Sequence, residues 1–220
     1  MNIGIIGAGH IGGTLTRRLR ALGHDVSVAN SRGPATLKSL ADETGAHAVK
    51  VIDAARGKDV VIVTIPEKSI PALPKDLFTG AERGTTVVDT GNYYPQRDGR
   101  IAAIEDGITE SRWVSQQLGR PVIKAFNNIY AKHLMENGRP RGNPKRIALP
   151  VAGDDDEQKA VVMRLVDELG FDPVDAGSLD ESWRQQPGTP VYGTDHDAAG
   201  VKRALAEASP ERPAGFRAQA

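Results

Sequence analysis

Short apolar runs and stretches of helical periodicity alternate along this chain from its first residues, the pattern of a parallel sheet covered by helices on both faces. "IGIIG" (residues 3–7) predicts a short buried strand, after which Ile11, Leu15, Leu19 and Leu22 recur at helical spacing until Gly23, a suitable helix C-cap. Residues 25–30 predict a second strand. Pro34 suits the first turn of the next helix, with Leu37, Leu40 and Ala41 on its inner face and Gly45 at its end. Further strands are expected at 47–51, 60–64 ("VVIVT"), 86–89 and 121–126, which makes six. The Gly, Pro and Arg-rich loop "ENGRPRGNP" (136–144) then separates this series from the C-terminal third of the chain. Beyond it, 146–151 reads as a strand. Asp154 is the expected cap of a helix with Glu157 three residues on, striped by Val161, Val162, Leu165, Val166 and Leu169 and stopped by Gly170. "DPVDAG" (172–177) gives a last strand. A long polar loop (182–197), a short Ala-rich helix near 198–208 and a Pro-containing tail complete the chain. The expected fold is α/β: a doubly wound parallel sheet of the Rossmann kind over residues 1–135, extended over 145–220 by a small C-terminal βαβ-like unit with a loop on the acceptor side.

Within that frame, Gly7-Ala8-Gly9-His10-Ile11-Gly12 fits G-x-G-x-x-G, and it follows a predicted strand and opens a predicted helix, the context that makes the motif specific. Gly7 permits the tight turn, Gly9 lets backbone approach a pyrophosphate, and Gly12 allows helix to pack closely on strand. The helix N-terminus would supply free N–H groups to the phosphates. His10 reads as a loop residue lying along them rather than as a base.

The end of the second strand, "VANSRGP" (28–34), has no acid where an NAD-selecting domain places one to hold the ribose hydroxyls. Asn30 and Ser31 donate hydrogen bonds and Arg32 offers a planar fork, a set suited to a 2′-phosphate. The expected cofactor is therefore NADP(H).

Composition narrows the partners. The 28 basic and 28 acidic residues cancel, which gives no electrostatic reason to recruit nucleic acid or an anionic membrane surface. Absence of cysteine removes thiol nucleophiles, disulfides and thiolate metal sites, and no metal ligand set is expected. The first strand starts directly after Met1, so the expectation is a chain without a leader, in the cytoplasm. A small-molecule acceptor is the expected partner, with a homodimer left open.

Ligands of open parallel sheets lie beyond the C-terminal strand ends, so "TIPEKS" (64–69), "DTGNYYP" (89–95) and "KAFNNIYAKH" (124–133) should face the nicotinamide. Thr64, Ile65 and Pro66 suit the path from ribose to ring, and Ala125 lies on the same edge. Asn92, Asn127 and Asn128 are amides able to bind a carboxamide or a substrate carbonyl or to hold their loops, and Asn127 is the favoured catalytic candidate, with Tyr130 and His133 beside it. Tyr130 and Lys132 are two apart, so the Tyr-x-x-x-Lys plan is missing. The zinc plan fails for want of cysteine and of clustered histidine, and Asp195-His196-Asp197 reads as a solvated loop.

These residues resemble the NADPH-dependent oxidoreductases that include the coenzyme F-420:NADP oxidoreductases and the cytosolic NADPH domain of six-transmembrane ferric reductases. Gly7 to Gly12, "NSR" (30–32), "TIP" (64–66), "VIKAFNNI" (122–129) and "VAGDDDEQKAVVMRLVDELGFDPVDAGSL" (151–179) carry the likeness. The resemblance implies direct hydride transfer between NADPH and a flavin or deazaflavin ring, with the protein acting mainly by positioning. It also implies that Ser31 and Arg32 hold the 2′-phosphate. "KAFNNIYAKH" is more like the ferric-reductase members, and the 183–192 loop is like neither group. That loop is expected either to close over the acceptor, through Trp183, Gln185, Gln186 and Tyr192, or to pack against a dimer partner or the domain's own edge. Two other activities stay open: an imine or carbonyl reductase in which Tyr130, His133 or Tyr192 donates a proton, and a redox sensor that binds NADP(H) without turnover.

Overall fold

Valine and isoleucine fill both faces of the central strands, which is what a sheet covered on two sides requires. In the computed structural model, which describes every residue except 83, 219 and 220, six parallel strands form that sheet. They are β1 (Asn2–Ile6), β2 (Asp25–Ala29), β3 (His47–Ala48), β4 (Val60–Val63), β5 (Thr86–Asp89) and β6 (Ile123–Lys124), in spatial order β3-β2-β1-β4-β5-β6. The order reverses between β1 and β4, and such a switch point opens a crevice at the C-terminal strand ends.

Helices α1 (His10–Ala21) and α2 (Lys38–Thr44) follow β1 and β2; α3 (Pro95–Asp98), α4 (Ala102–Glu105) and α5 (Glu110–Leu118) join β5 to β6; α6 (Ala131–Glu136) follows β6. Then come β7 (Ala148–Val151), α7 (Asp156–Glu168), β8 (Asp172–Asp175) and α8 (Ala198–Ala206). β7 and β8 pair in parallel, and Lys124 and Ala152 exchange both backbone hydrogen bonds, at 2.8 and 3.0 Å, in an antiparallel bridge that ties the unit to β6. Val162, Leu165 and Val166 of α7, with Leu169 at its C-cap, share one core with Ile3, Ile5, Leu15 and Leu19, so both segments close over the same face of the sheet. The opposite face is covered by Trp113 and Val114 of α5 with Ile70, Tyr93 and Ile104.

Several expected boundaries shift. The third strand shrinks to His47–Ala48, and a 3-10 turn (Val51–Ala54) takes over its end. The sixth ends at Lys124 because the chain turns sharply at Phe126, the one non-glycine residue with positive φ (61°) among those described. Asp155, not Asp154, caps α7 by accepting from the Gln158 N–H at 3.0 Å; the Asp154 carboxylate instead takes the Leu179 N–H and a 2.8 Å ion pair with Arg112. Leu22, the last of the helically spaced apolar residues, is 45% exposed and falls at the helix C-cap. No helix among the described residues is long and apolar enough to cross a membrane.

Candidate functional site

The three glycines of the first turn have separable physical roles. A Cβ on Gly7 would lie 2.2 Å from the Thr64 carbonyl oxygen, and one on Gly12 would lie 1.9 Å from the Gly7 carbonyl oxygen, so both are needed for the chain to pack upon itself. Gly7 also holds φ at 111°, a conformation side chains resist. A Cβ on Gly9 would meet nothing within 4 Å. Its space faces outward at the N-terminus of α1, whose first N–H groups receive no side-chain cap and whose first turn carries no acid. An uncapped helix N-terminus beside an open glycine backbone fits a pyrophosphate. His10 is exposed, while Ala8 and Ile11 are partly buried against the core below.

At the end of β2 the Asn30 side chain folds the loop rather than reaching outward. Its carbonyl oxygen accepts the Arg32 N–H at 3.0 Å, and its amide donates to Thr36 Oγ1 at 3.0 Å, an Asx turn that aims residues 31 and 32. Ser31 and Arg32 are exposed, and the Arg32 guanidinium makes no hydrogen bond or ion pair among the described residues. A cation held in this way at the strand end fits a 2′-phosphate.

Beyond β4, β5 and β6 the geometry redistributes the expected roles. Thr64, Ile65 and Pro66 are partly buried along the crevice. Ala125 is fully buried and its N–H is bound to the Asp89 carbonyl, so only its backbone carbonyl is left to face a ligand. Both N–H donors of the Asn127 amide are committed, one to Asn92 Oδ1 at 3.0 Å and one to the Gln185 carbonyl at 2.7 Å, while Gln185 donates back to its oxygen at 2.9 Å. The favoured catalytic amide is therefore a loop fastener with no donor to spare. Asn92 donates one N–H to the Asn127 carbonyl at 2.9 Å, and being half-buried it keeps its second. Asn128 is buried, and neither polar atom of its side chain has a partner among the described residues.

Tyr130, His133 and Tyr192 come together at one edge of this region with Tyr94. The Tyr94 and Tyr192 hydroxyls bond directly. A Cβ on Gly193 would lie 3.0 Å from the Tyr130 hydroxyl, and the Tyr130 ring stands edge-on to His133 with 5.5 Å between centroids. His133 Nδ1 is 2.9 Å from the Asp195 carboxylate, and Asp197 caps α8 by accepting from the Gly200 N–H at 2.7 Å. Burial and the Tyr94 contact push the Tyr192 phenol far above its ordinary range, so it stays protonated and is a poor acid. Trp183 and Gln186 lie elsewhere, in the wall of a cavity of about 820 Å³ between α4, the turn at Leu179–Gln185 and the C-terminal segment; neither Asn127 nor Tyr192 lines it. The 183–192 loop thus packs on the chain's own edge, with the Gly193 N–H donating to the Asn128 carbonyl at 2.9 Å.

A buried charged cluster lies behind these loops. Lys124 is completely buried, with Nζ 3.2 Å from Asp89 Oδ2 and 2.6 Å from the Gly91 carbonyl, and Ser111 donates to the same Asp89 oxygen at 2.6 Å. Glu67 and Glu110 are also fully enclosed. Arg212, from the C-terminal segment, reaches in to bond Glu110 at 2.8 Å and Gln186 at 3.1 Å. Burial raises the Glu110 carboxyl above its usual range, against the opposing pull of the Lys124 ammonium and the Arg212 guanidinium. In the sequence Glu67 showed only as the residue after "TIP", and nothing in its spacing signals burial.

Known proteins agree with this architecture. The family described as NADP oxidoreductase, coenzyme F420-dependent, matches residues 2–93. The protein YjhV of Escherichia coli (strain K12) is 52% identical over 86 residues, 39% of this chain, and the match spans 56% of that protein, about half its length. The crystal structure of SMa0349 from Sinorhizobium meliloti, a protein without an assigned activity, is 33% identical with a TM-score of 0.74, covering 89% of this chain and 95% of that one. A structure from Arthrobacter sp. FB24, provisionally designated an F420-dependent NADP reductase, shares the fold at 24% identity and a TM-score of 0.66, covering 81% and 85%.

Proposed function

Because the chain belongs to the family of coenzyme F420-dependent NADP oxidoreductases, we propose that it moves a hydride between NADPH and a planar flavin or deazaflavin ring. The nicotinamide supplies the hydride when bound. The residues of the chain bind and orient. The open Gly9 backbone and the first turn of α1 hold the pyrophosphate, Arg32 and Ser31 hold the 2′-phosphate on the turn that Asn30 braces, and Thr64, Ile65 and Pro66 wall the path to the ring. Asn92 takes the carboxamide with its remaining N–H, while Asn127 holds Asn92 in place. Tyr94, Tyr130 and Tyr192 form an aromatic and hydroxyl-bearing edge for the acceptor.

The observation that carries this reading is the Tyr94–Tyr192 pair, whose phenols are bonded to one another and in which Tyr192 is held protonated. Carbonyl or imine reduction needs a ready acid at the new alcohol or amine. Transfer to a flavin-like ring needs chiefly that two rings be held in contact. A panel of F420, FMN, FAD, ferric chelates, quinones, simple carbonyls and imines, followed by loss of nicotinamide absorbance, tests it. Oxidation of NADPH is expected with the tricyclic rings. Oxidation with carbonyls or imines alone would overturn it in favour of a proton-donor reductase. Stoichiometric binding with no oxidation by any acceptor would make the protein a sensor.

A further inference from the structure

Glu67 is a buried acid with no counter-ion of its own. Both of its carboxyl oxygens lack a hydrogen-bond partner among the described residues, and the side chain is wholly enclosed. Each element packed around it presents charge: Asp89 from the end of β5, Lys124 from β6, Glu110 from α5, and Arg97 and Asp98 from α3. Lys124 and Arg212 match Asp89 and Glu110, two of each sign, and Arg97 pairs with Asp98 at 2.8 Å. Glu67 is thus the acid left over. Burial, with Asp89 beside it, pushes its carboxyl well above the usual range and keeps it protonated. Its Oε1 lies against Gly91, where a Cβ would approach within 2.5 Å, and Gly91 directly precedes the carboxamide candidate Asn92.

A nicotinamide ring is neutral when reduced and cationic once its hydride has left. We propose that Glu67 is a redox-linked proton holder: it keeps its proton while the reduced ring occupies the crevice end formed by Thr64, Ile65, Pro66 and Asn92, and releases it when the ring there is cationic. The step balances. The C4–H bond of NADPH breaks with both electrons passing to the acceptor; the Glu67 O–H bond breaks with its electron pair staying on oxygen; the proton goes to water, from which the carboxylate recovers it when NADP⁺ leaves. Glu67 acts through charge and touches neither substrate nor cofactor, so it is a positioning residue, and its role rests on the NADP(H) reading above.

Calorimetric titration of the full chain with NADP⁺ and with NADPH, in two buffers of different ionisation enthalpy and across a pH series, tests the proposal. The wild type should release more proton on binding NADP⁺ than on binding NADPH, and its preference for NADP⁺ should rise with pH by up to about tenfold per unit. Titration of the 2′-phosphate is common to both nucleotides and cancels in that ratio. The near-isosteric Glu67→Gln should abolish both effects. Equal proton counts for the two nucleotides in the wild type, or a ratio whose pH dependence persists in Glu67→Gln, would overturn it. Should the variant not fold, the infrared difference spectrum between the wild-type NADP⁺ and NADPH complexes decides: loss of a protonated-carboxyl band supports the proposal, and an unchanged band refutes it. Failure of either nucleotide to bind would refute the NADP(H) reading first, and this one with it.

Discussion

The glycine turn after β1 and the charged cluster behind β5 and β6 occupy the same edge of one sheet, yet they are built by opposite means. The first is local: six consecutive residues, two of them glycines the chain needs for its own packing and one whose space stays open. The second is assembled from five separate places, Glu67, Asp89, Glu110, Lys124 and Arg212, of which the first four are buried and Arg212 keeps 13% of its side chain exposed. A local site fails when a single backbone position is filled. A dispersed one fails when its balance of charge is upset, because an uncompensated buried ion is costly.

Lys124→Met should test the dispersed site most severely. Removing the ammonium leaves Asp89 without its buried partner, and urea unfolding should show a loss of about 3–5 kcal/mol; a loss under about 1 kcal/mol would mean that the cluster is not electrostatically coupled. Within the local site, Gly12→Ala drives a Cβ into backbone and should cost about 3 kcal/mol, read as a lower melting temperature. Gly9→Ala should leave the melting temperature nearly unchanged while weakening NADPH binding about tenfold or more, because its Cβ meets only the space assigned to the pyrophosphate. Equal NADPH affinity for Gly9→Ala and wild type would remove the distinction between the two glycines.

Arg32→Ala sharpens the comparison at the far end of the cofactor. It should weaken NADPH by about 1.5–3 kcal/mol, one to two decades, and leave NADH untouched. Retained preference for NADPH would defeat the assignment. The smallest change is expected from Tyr94→Phe, which breaks the hydroxyl pair with Tyr192 at a cost of about 1 kcal/mol in stability. Its acceptor kinetics should move more in KM than in kcat if the tyrosine edge orients rather than protonates.

The strands, the glycine motif and the missing acid at the β2 end were legible because each depends on neighbours in sequence: β-branched runs, a fixed glycine spacing, a residue type at a strand terminus. Asn127 shows where such reading stops. Its place after β6 was evident, but whether its amide faces a ligand or the Gln185 carbonyl depends on a loop 58 residues away. The same limit divided Trp183 and Gln186 from Tyr192, three residues of one loop that end on different walls.

Pattern and spacing along the chain were enough for the Rossmann sheet and for the end of the crevice that fits a 2′-phosphate, since hydrophobic period and turn chemistry act over a few residues. The burial of Glu67, the pairing of Lys124 with Asp89 and the closure by Arg212 needed the folded molecule. A charge is buried or exposed according to what distant segments place over it, and Arg212 lies 102 positions from the Glu110 it neutralises.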